Sequence, residues 1–377
     1  MINKQVSSLS EYISIIEKNE LFDCISRGEN QRYEHPLRSG IHRKNFSNYL
    51  NFLEQYHLNV ENSINQVQEK NFLAFSQHHG IPTNLLDFSF SPLVSLYFST
   101  ANCNDKGYVY FINKSKTINI NKVIYKKPLG WGLLDDLLSF NPELYKDLQI
   151  QLSDLFILNR EEIVNYFEKH AENFIKNFDK NSLEIKEFEY ALRKYKDEKL
   201  KFINNKKISH PTLCIDDSYS AFIQSMQKIY TNDIMHSFMP KYINNYNKIL
   251  NISNVGADYI PNIHIIIFLL IIEEIKYYTQ HQPISEIEIP FYFTYTPPII
   301  DDRVRNQSSI FIFQPFETNK SFIENTSAQL WQKIIPDFTI EIQNPNKIRK
   351  ELDSIGFNLK HIYCDFDSIS KYIVNSF

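Results

Sequence analysis

The chain has 377 residues, a formal net charge of −4 and a hydrophobic fraction of 43%, with 29 Phe and 23 Tyr. This composition excludes an intrinsically disordered chain, and the acidic balance provides no general attraction to nucleic acid. At ~150 residues per domain, the length allows two or three domains or one elaborated domain. Because glycines number only eight, we expect each one to meet a specific backbone demand.

The cysteines and the N-terminal segment predict the compartment. Four scattered cysteines without a CxxC pair argue against a disulfide framework and against a thiolate zinc site. The segment MINKQVSSLSEYISIIEKNE lacks the apolar core of a signal peptide. The apolar run from Ile263 to Ile272 is about half as long as a bilayer-spanning helix, so we interpret it as a buried helix. We therefore expect a cytoplasmic protein without membrane contact.

The first 113 residues predict both helices and strands. Residues 7–20 have a Ser start and apolar positions at helical spacing, which predicts a first helix. LFDCISRGEN alternates apolar and polar residues up to Gly28 and predicts a strand that ends in a turn. After a loop, two helical stretches follow at 45–58 and 60–77. SPLVSLYFSTANCN predicts a helix with Pro92 in its first turn, and GYVYFINK predicts a short strand.

The composition changes near residue 114. From there to residue 286, long charged segments with a period near 3.6 predict a helical block. IEIPFYFTYTPP and SSIFIFQPF are rich in aromatic and β-branched residues and predict strands, and residues 345–377 return to helices. We therefore predict an α+β fold whose two halves, 1–113 and 287–377, flank an all-helical insertion at 114–286.

Arg27 stands at the predicted strand end, beside Gly28. A guanidinium can make bidentate hydrogen bonds to a pyrophosphate, and a glycine lets such a ligand approach the backbone. Both residues are therefore candidates for ligand binding. The alternative is a structural Arg27 that forms an ion pair with Asp87 or Glu29.

The stretch AFSQHHGIPTNLLDF concentrates polar residues ahead of an apolar run. Gly80 would end the preceding helix and Pro82 would prevent its continuation, so part of the stretch has a purely structural explanation. Buried polar groups must be paired, so we expect a network that includes His79 and Asp87, serving either a ligand or the core alone. The polar residues left to explain are Gln77, His78, His79 and Asp87.

No metal site is expected. The adjacent His78 and His79 would point in different directions from a helix, and no HxxxH or HExxH pattern accompanies them. His35 and His42 could join such a site, but a single loop histidine is more simply interpreted as solvated.

Four separated stretches resemble one family, in that family's order. They are SRGEN, LAFSQHHGIPTNLLDFSFSPLVSLYFS, DRVRNQSSIFIF and LDSIGFNLKHIYCDFDSISKYI. They resemble the FRG domain, which has a Phe/Tyr-Arg-Gly motif and a signature of the form QHxGxPTxLLD. The resemblance covers roughly residues 15–113 and 286–377. Ser26 departs from the motif by replacing the aromatic residue, and Asn84 replaces an Arg, a cation that a phosphate site could have used.

The order of these segments is also similar to the layout of ADP-ribosyltransferases. That resemblance implies a mixed sheet with flanking helices and an NAD site formed by Arg27, Ser89 and Gln307. Gln307 can position a ribose hydroxyl but supplies no carboxylate for an oxocarbenium-like state. A transferase would therefore need another carboxylate, from Asp87, Glu29 or Asp302.

The predicted site residues fall into two groups. The catalytic candidates are Arg27, His79, Asp87 and Gln307. The cofactor-binding candidates are Arg27, Gly28, Gln77, His78, Ser89 and Arg305, with plain surface charge as the alternative for Arg305.

The leading hypothesis is an NAD-consuming, ADP-ribosyltransferase-like effector in bacterial or phage conflict, such as a toxin or an anti-phage protein. One alternative is a non-enzymatic module that senses a nucleotide or a phage component. Another is a nucleic-acid-processing enzyme that uses His79 and Asp87 as acid and base. The expected partner is a nucleotide-like small molecule, and the helical insertion is expected to contact a protein partner or a second copy.

Overall fold

The computed structural model describes residues 3–44, 49–103, 105–126, 142–159, 284–315, 317–320 and 327–376, and isolated positions between 137 and 272. The chain divides into two compact units, Met1–Leu133 with Tyr278–Phe377, and Leu134–Tyr277. The described elements form a mixed α+β fold, which confirms the predicted class.

The larger unit begins with strand β1 (Lys4–Val6) and helix α1 (Leu9–Lys18). The Ser8 side chain accepts a hydrogen bond from the backbone N–H of Glu11 and caps the helix. The first predicted helix is therefore confirmed, together with its Ser start.

The other described helices are mostly short, and α8 alone among them belongs to the smaller unit. In chain order they are α2 (Gly40–Lys44), α3 (Tyr49–Val60), α4 (Gln66–Lys70), α5 (Phe72–His78), α6 (Pro92–Thr100), α7 (Asn121–Ile124), α8 (Pro142–Leu158), α9 (Asp302–Asn306), α10 (Pro345–Ser354), α11 (Leu359–Tyr363) and α12 (Phe366–Ser376).

The strands form two sheets. After β1 they are β2 (Cys24–Glu29), β3 (Leu85–Ser89), β4 (Gly107–Asn113), β5 (Thr117–Asn119), β6 (Ile284–Glu288), β7 (Tyr292–Tyr295), β8 (Ser309–Phe313), β9 (Glu317–Lys320), β10 (Ser327–Lys333) and β11 (Phe338–Ile342). Within the described residues, one sheet has the order β1-β11-β4-β2-β3-β8-β7-β5 and the other the order β6-β10-β9.

Strand β2 lies in the middle of the larger sheet, between β4 and β3. It pairs with β4 along its whole length but with β3 only at Ser26↔Ser89. The residues of β2 after Ser26 therefore lack backbone pairing on the β3 side. This leaves space for side chains between the two central strands.

The larger sheet is buried on both faces, as alternation along β4 shows. Val109 and Phe111 belong to the hydrophobic cluster that includes side chains of α1, α6 and α10. Tyr108, Tyr110 and Ile112 belong to a second cluster with Ile25 of β2 and side chains of β3 and β8. Because successive residues of a strand point to opposite faces, the strand contributes to two cores.

The predicted helix over residues 60–77 is two helices. The side chain of Asn65 and that of Gln68 form a reciprocal cap at the start of α4. Asn71 then interrupts the helical backbone, and α5 begins at Phe72. The non-helical backbone conformation of Asn71 thus divides a stretch whose apolar periodicity is continuous.

Much of the range 114–286, predicted as an all-helical insertion, lies outside the described residues. Strand β5 and the first residues of β6 fall inside that range. Phe268, Ile271 and Ile272 are helical and fully buried, as expected for the run 263–272, whose other residues are outside the described set. Among the described helices, none has the length and hydropathy needed to span a bilayer.

Candidate functional site

The two sides of strand β2 contact different surroundings. Ser26 and Gly28 face helix α6, and the hydroxyl oxygens of Ser26 and Ser95 are 2.8 Å apart. We call this side the α6 face. Alternation places Arg27 and Glu29 on the side of Ile25, and we call this side the charged face.

Gly28 makes room for a helix rather than for a ligand. A Cβ atom at this position would lie 1.9 Å from the backbone oxygen of Ser95 and 2.7 Å from the backbone nitrogen of Ser99. No side chain fits at that distance. The prediction that Gly28 lets a ligand approach the backbone is therefore corrected, because α6 already occupies the space that the glycine leaves.

Arg27 bridges two carboxylates. Its Nε lies 3.3 Å from Oε1 of Glu29, and its Nη1 donates to the Asp87 carbonyl at 2.8 Å and lies 3.4 Å from Oδ2 of Asp87. Both alternatives considered for a structural Arg27 thus occur together. Its Nη2 forms no hydrogen bond with a described residue, and 17% of the side chain is exposed.

Asp87 is the exposed member of this group, with 54% of its side chain accessible. Its Oδ2 also accepts a hydrogen bond from Nε2 of Gln77 at 3.2 Å. The Gln77 amide is oriented in turn, because its Oε1 accepts from the Thr83 hydroxyl at 2.7 Å. The Thr83 oxygen accepts from the backbone N–H of Leu85, so the start of β3 orients the whole chain of contacts.

Glu29 is the buried member, with only 1% of its side chain exposed. Its Oε1 accepts from Nη2 of Arg43 at 2.7 Å and from the N–H of Leu37 at 3.4 Å, besides Arg27. The guanidinium of Arg43 also lies over the ring of Tyr33, 4.2 Å from its centroid. Burial, followed by the charge of Glu29, raises the pKa of the neighbouring Tyr110.

His78 lies in a second polar group next to Asp87. Its Nδ1 is 3.9 Å from Oδ2 of Asp301, and Arg303 donates from Nη1 to the His78 carbonyl at 3.2 Å. Burial lowers the pKa of His78, and the carboxylates of Asp301 and Asp87 oppose that effect. Arg303 also lies over the ring of Tyr363, 4.7 Å from its centroid.

His79 does not join the network expected for it. It follows α5 at an exposed position, and its ring contacts Phe75 with the ring centroids 4.4 Å apart. Among the described contacts, none links it to Asp87, whose partners are Gln77 and Arg27. Helix α5 ends at His78, and His79 follows it. The two adjacent side chains therefore point in different directions, and only that of His78 is directed inward.

Ser89 and Gln307 contact each other, but mainly in structural roles. The Ser89 hydroxyl donates to the backbone oxygen of Gln307 at 2.6 Å and accepts from the N–H of Ser91. The Gln307 amide donates to the carbonyl of Ile362 at 3.3 Å, which ties it to α11. Arg305 is exposed and pairs with Asp302 at 2.9 Å, consistent with the surface-charge alternative.

The structure thus brings together Arg27, Gln77 and Asp87, with His78 alongside. The sequence did not identify Arg43 or Thr83 as part of this group. Arg43 acts by pairing with Glu29, and Thr83 acts by orienting the amide of Gln77. A basic residue in the short helix α2 carries no signal in the sequence that it will form an ion pair with Glu29. Within the described part of the chain, no group of three His, Cys, Asp or Glu side chains could hold a metal ion.

The exposed part of this group offers both donors and acceptors. Arg27 presents Nη2, and Asp87 presents Oδ1, neither of which has a hydrogen-bond partner among the described residues. A guanidinium beside a carboxylate can bind a ligand that carries an anionic oxygen and a hydroxyl close together.

A comparison with models of protein families matches part of the chain. The model of the FRG domain matches residues 23–107, a range that contains Arg27, Glu29, Gln77 and Asp87. No curated protein and no solved structure matches the chain. The chain therefore carries an FRG domain.

Proposed function

We propose that the FRG domain of this chain binds a nucleotide, with NAD as the first ligand to test, through Arg27, Gln77 and Asp87. The observation that carries this proposal is the guanidinium of Arg27, which is held between Glu29 and Asp87 on a side chain that is 17% exposed. An arginine whose plane is already oriented loses little freedom on binding a phosphate.

The residues present fit a phosphate-bearing ligand. Nη2 of Arg27 can donate to a phosphate oxygen while Nε and Nη1 keep their present partners. The carboxylate of Asp87 can accept from a ribose hydroxyl through its exposed oxygen. The similarity of segment order to ADP-ribosyltransferases, and the resemblance to a family associated with bacterial and phage conflict, support NAD and an effector role.

A nucleotide sensor without turnover is the second candidate. It is favoured by Gln307, which supplies an amide where a transferase would need a carboxylate, and whose amide is engaged with the Ile362 carbonyl. A sensor needs only differential affinity for the ligand between two states of the protein.

Calorimetric titration with NAD, ADP-ribose and ADP tests the binding proposal. We expect the substitution Arg27→Lys to weaken binding by about 10-fold or more, because lysine retains the charge but loses the planar fork. Gln77→Ala provides a second variant on the exposed side of the site. The control is Lys347→Ala, which removes an exposed cation from α10.

Binding by Arg27→Lys and Gln77→Ala that equals wild-type binding would overturn the proposal. Release of nicotinamide from NAD, followed by chromatography, then separates the two candidates. Turnover that is lost in Arg27→Lys supports a transferase or hydrolase. Tight binding without turnover supports the sensor.

A further inference from the structure

The buried carboxylate of Glu29 uses only one of its two oxygens. Arg27, Arg43 and the backbone N–H of Leu37 all donate to Oε1. Oε2 is buried and has no hydrogen-bond partner among the described residues. A charged oxygen in this position is costly, since burial removes its water without replacing the lost hydrogen bonds.

This oxygen lies beside the proposed nucleotide site. Oε1 and Oε2 are bonded to the same carbon, and Oε1 contacts Nε of Arg27. Two of the three donors around Glu29 are side chains of partly exposed arginines, with 17% of Arg27 and 27% of Arg43 accessible. A ligand can therefore approach Glu29 by displacing the end of the Arg43 side chain, while Arg27 keeps its contacts with Glu29 and Asp87.

We propose that Oε2 of Glu29 is a second acceptor in the nucleotide site and binds a hydroxyl of the ligand's ribose. This inference rests on the proposed function, because it assumes that a nucleotide binds at Arg27. The surrounding charges favour a neutral donor. Arg27 and Arg43 would repel an ammonium group, whereas a hydroxyl satisfies the oxygen without adding positive charge.

The three carboxylates considered as substitutes for a transferase glutamate are thereby distinguished. Asp302 is exposed and paired with Arg305 in α9. Asp87 is mostly exposed, and its Oδ2 already has two partners. Glu29 alone among these three has a buried oxygen without a partner. A hydrogen bond to that oxygen would be shielded from water and would therefore discriminate strongly between ligands.

The test compares ADP with 2′-deoxy-ADP and 3′-deoxy-ADP by calorimetry. We expect wild-type protein to bind ADP at least about 10-fold more tightly than one of the two deoxy analogues, because a hydrogen bond to a buried charge is lost. In Glu29→Gln, which keeps the shape of the side chain, this preference should fall to less than about 3-fold. Asp87→Asn should retain the preference over that analogue while weakening the binding of ADP and of both analogues.

Each outcome decides between the two proposals. Equal binding of ADP and both analogues by wild-type protein overturns the role of Glu29 but leaves nucleotide binding intact. A preference that survives in Glu29→Gln and disappears in Asp87→Asn assigns the hydroxyl to Asp87 and also overturns it. If no nucleotide binds, the proposed function itself fails. The wild-type measurement needs no variant, so misfolding of Glu29→Gln does not prevent a decision.

Discussion

The α6 face and the charged face of strand β2 differ in how they tolerate change. On the α6 face, Ser26 and Gly28 are small and let a helix backbone approach within van der Waals contact. On the charged face, Arg27 and Glu29 fill space with long side chains and satisfy each other electrostatically. Adjacent residues of one motif therefore have separate roles: the glycine positions a helix, and the arginine orients toward solvent and Asp87.

The largest expected effect lies on the α6 face. Gly28→Ala should destabilise the protein by about 4 kcal/mol or more, because the new Cβ would meet the Ser95 and Ser99 backbone, which cannot rotate away. Urea unfolding measures the change. Gly80→Ala is the control: that site has φ +88 and open space, so only the backbone strain of about 1–2 kcal/mol is expected. Equal costs at both sites would contradict the close approach of α6.

The next effect concerns pH and helix α2, which contains both His42 and Arg43. Burial, followed by the charge of Arg38, lowers the pKa of His42 to about 3. In the unfolded chain the same group titrates near ~6.5, so the unfolded state takes up a proton first as the pH falls. The contribution of neutral His42 to the free energy of unfolding is therefore fully present above pH ~6.5 and is lost as the pH falls from ~6.5 to about 3.

We expect His42 to account for a loss of about 3 kcal/mol between pH ~6.5 and ~4. Urea unfolding across this range should show a shallower decrease for His42→Gln than for wild-type protein. His35→Gln, at an exposed position in the loop before α2, is the control and should follow the wild-type curve. Parallel curves for all three proteins would show that His42 does not carry the acid sensitivity.

Removing the carboxylate of Glu29 on the charged face should lower the free energy of unfolding by somewhat less than the acid-induced loss at His42. Glu29→Ala leaves Arg27 and Arg43 without their shared partner, and we expect a loss of about 2–3 kcal/mol because both arginines keep some contact with water. Chemical unfolding measures it. Glu34→Ala, exposed in the following loop, should change stability by less than about 0.5 kcal/mol. A similar result for both variants would argue against a buried ion pair.

The smallest expected effect is again on the α6 face. The buried contact between the Ser26 and Ser95 hydroxyls should contribute about 1 kcal/mol, as hydrogen bonds between neutral groups do. A double-mutant cycle with Ser26→Ala and Ser95→Ala measures the coupling energy directly. Additive losses would indicate that the two hydroxyls do not interact, and the closeness of α6 would then depend on Gly28 alone.

Local patterns predicted the elements around the site well. Alternation in LFDCISRGEN predicted β2, and the strand periodicity of GYVYFINK and SSIFIFQPF predicted β4 and β8. The strands β9, β10 and β11 were not predicted. β10 pairs with β6 as well as with its neighbour β9, and β11 pairs with β4, so two of these pairings join segments that are well separated along the chain. Strand β1 has three residues and is stabilised by parallel pairing with β11, more than 300 residues away.

The site was predicted in part. Gln77, His78 and Asp87 were selected as polar residues that turn and capping chemistry could not explain, and the structure pairs Gln77 with Asp87. The expected network that includes both His79 and Asp87 does not occur among the described contacts, because the end of α5 directs His79 to the surface. Helical spacing alone could not tell which of two adjacent histidines would turn inward.

The amino-acid sequence by itself determined the local elements and the residues from which a polar site could be built, because helix capping, strand alternation and turn chemistry act over a few residues. Only the tertiary structure decided the contacts among those residues. Arg27 reaches Asp87 because β2 and β3 pair at a single position. The backbone of α6 packs directly against Gly28 because that helix crosses the strand there. Such contacts depend on how segments that are distant in sequence pack against each other, and the spacing of residues along the chain does not specify that packing.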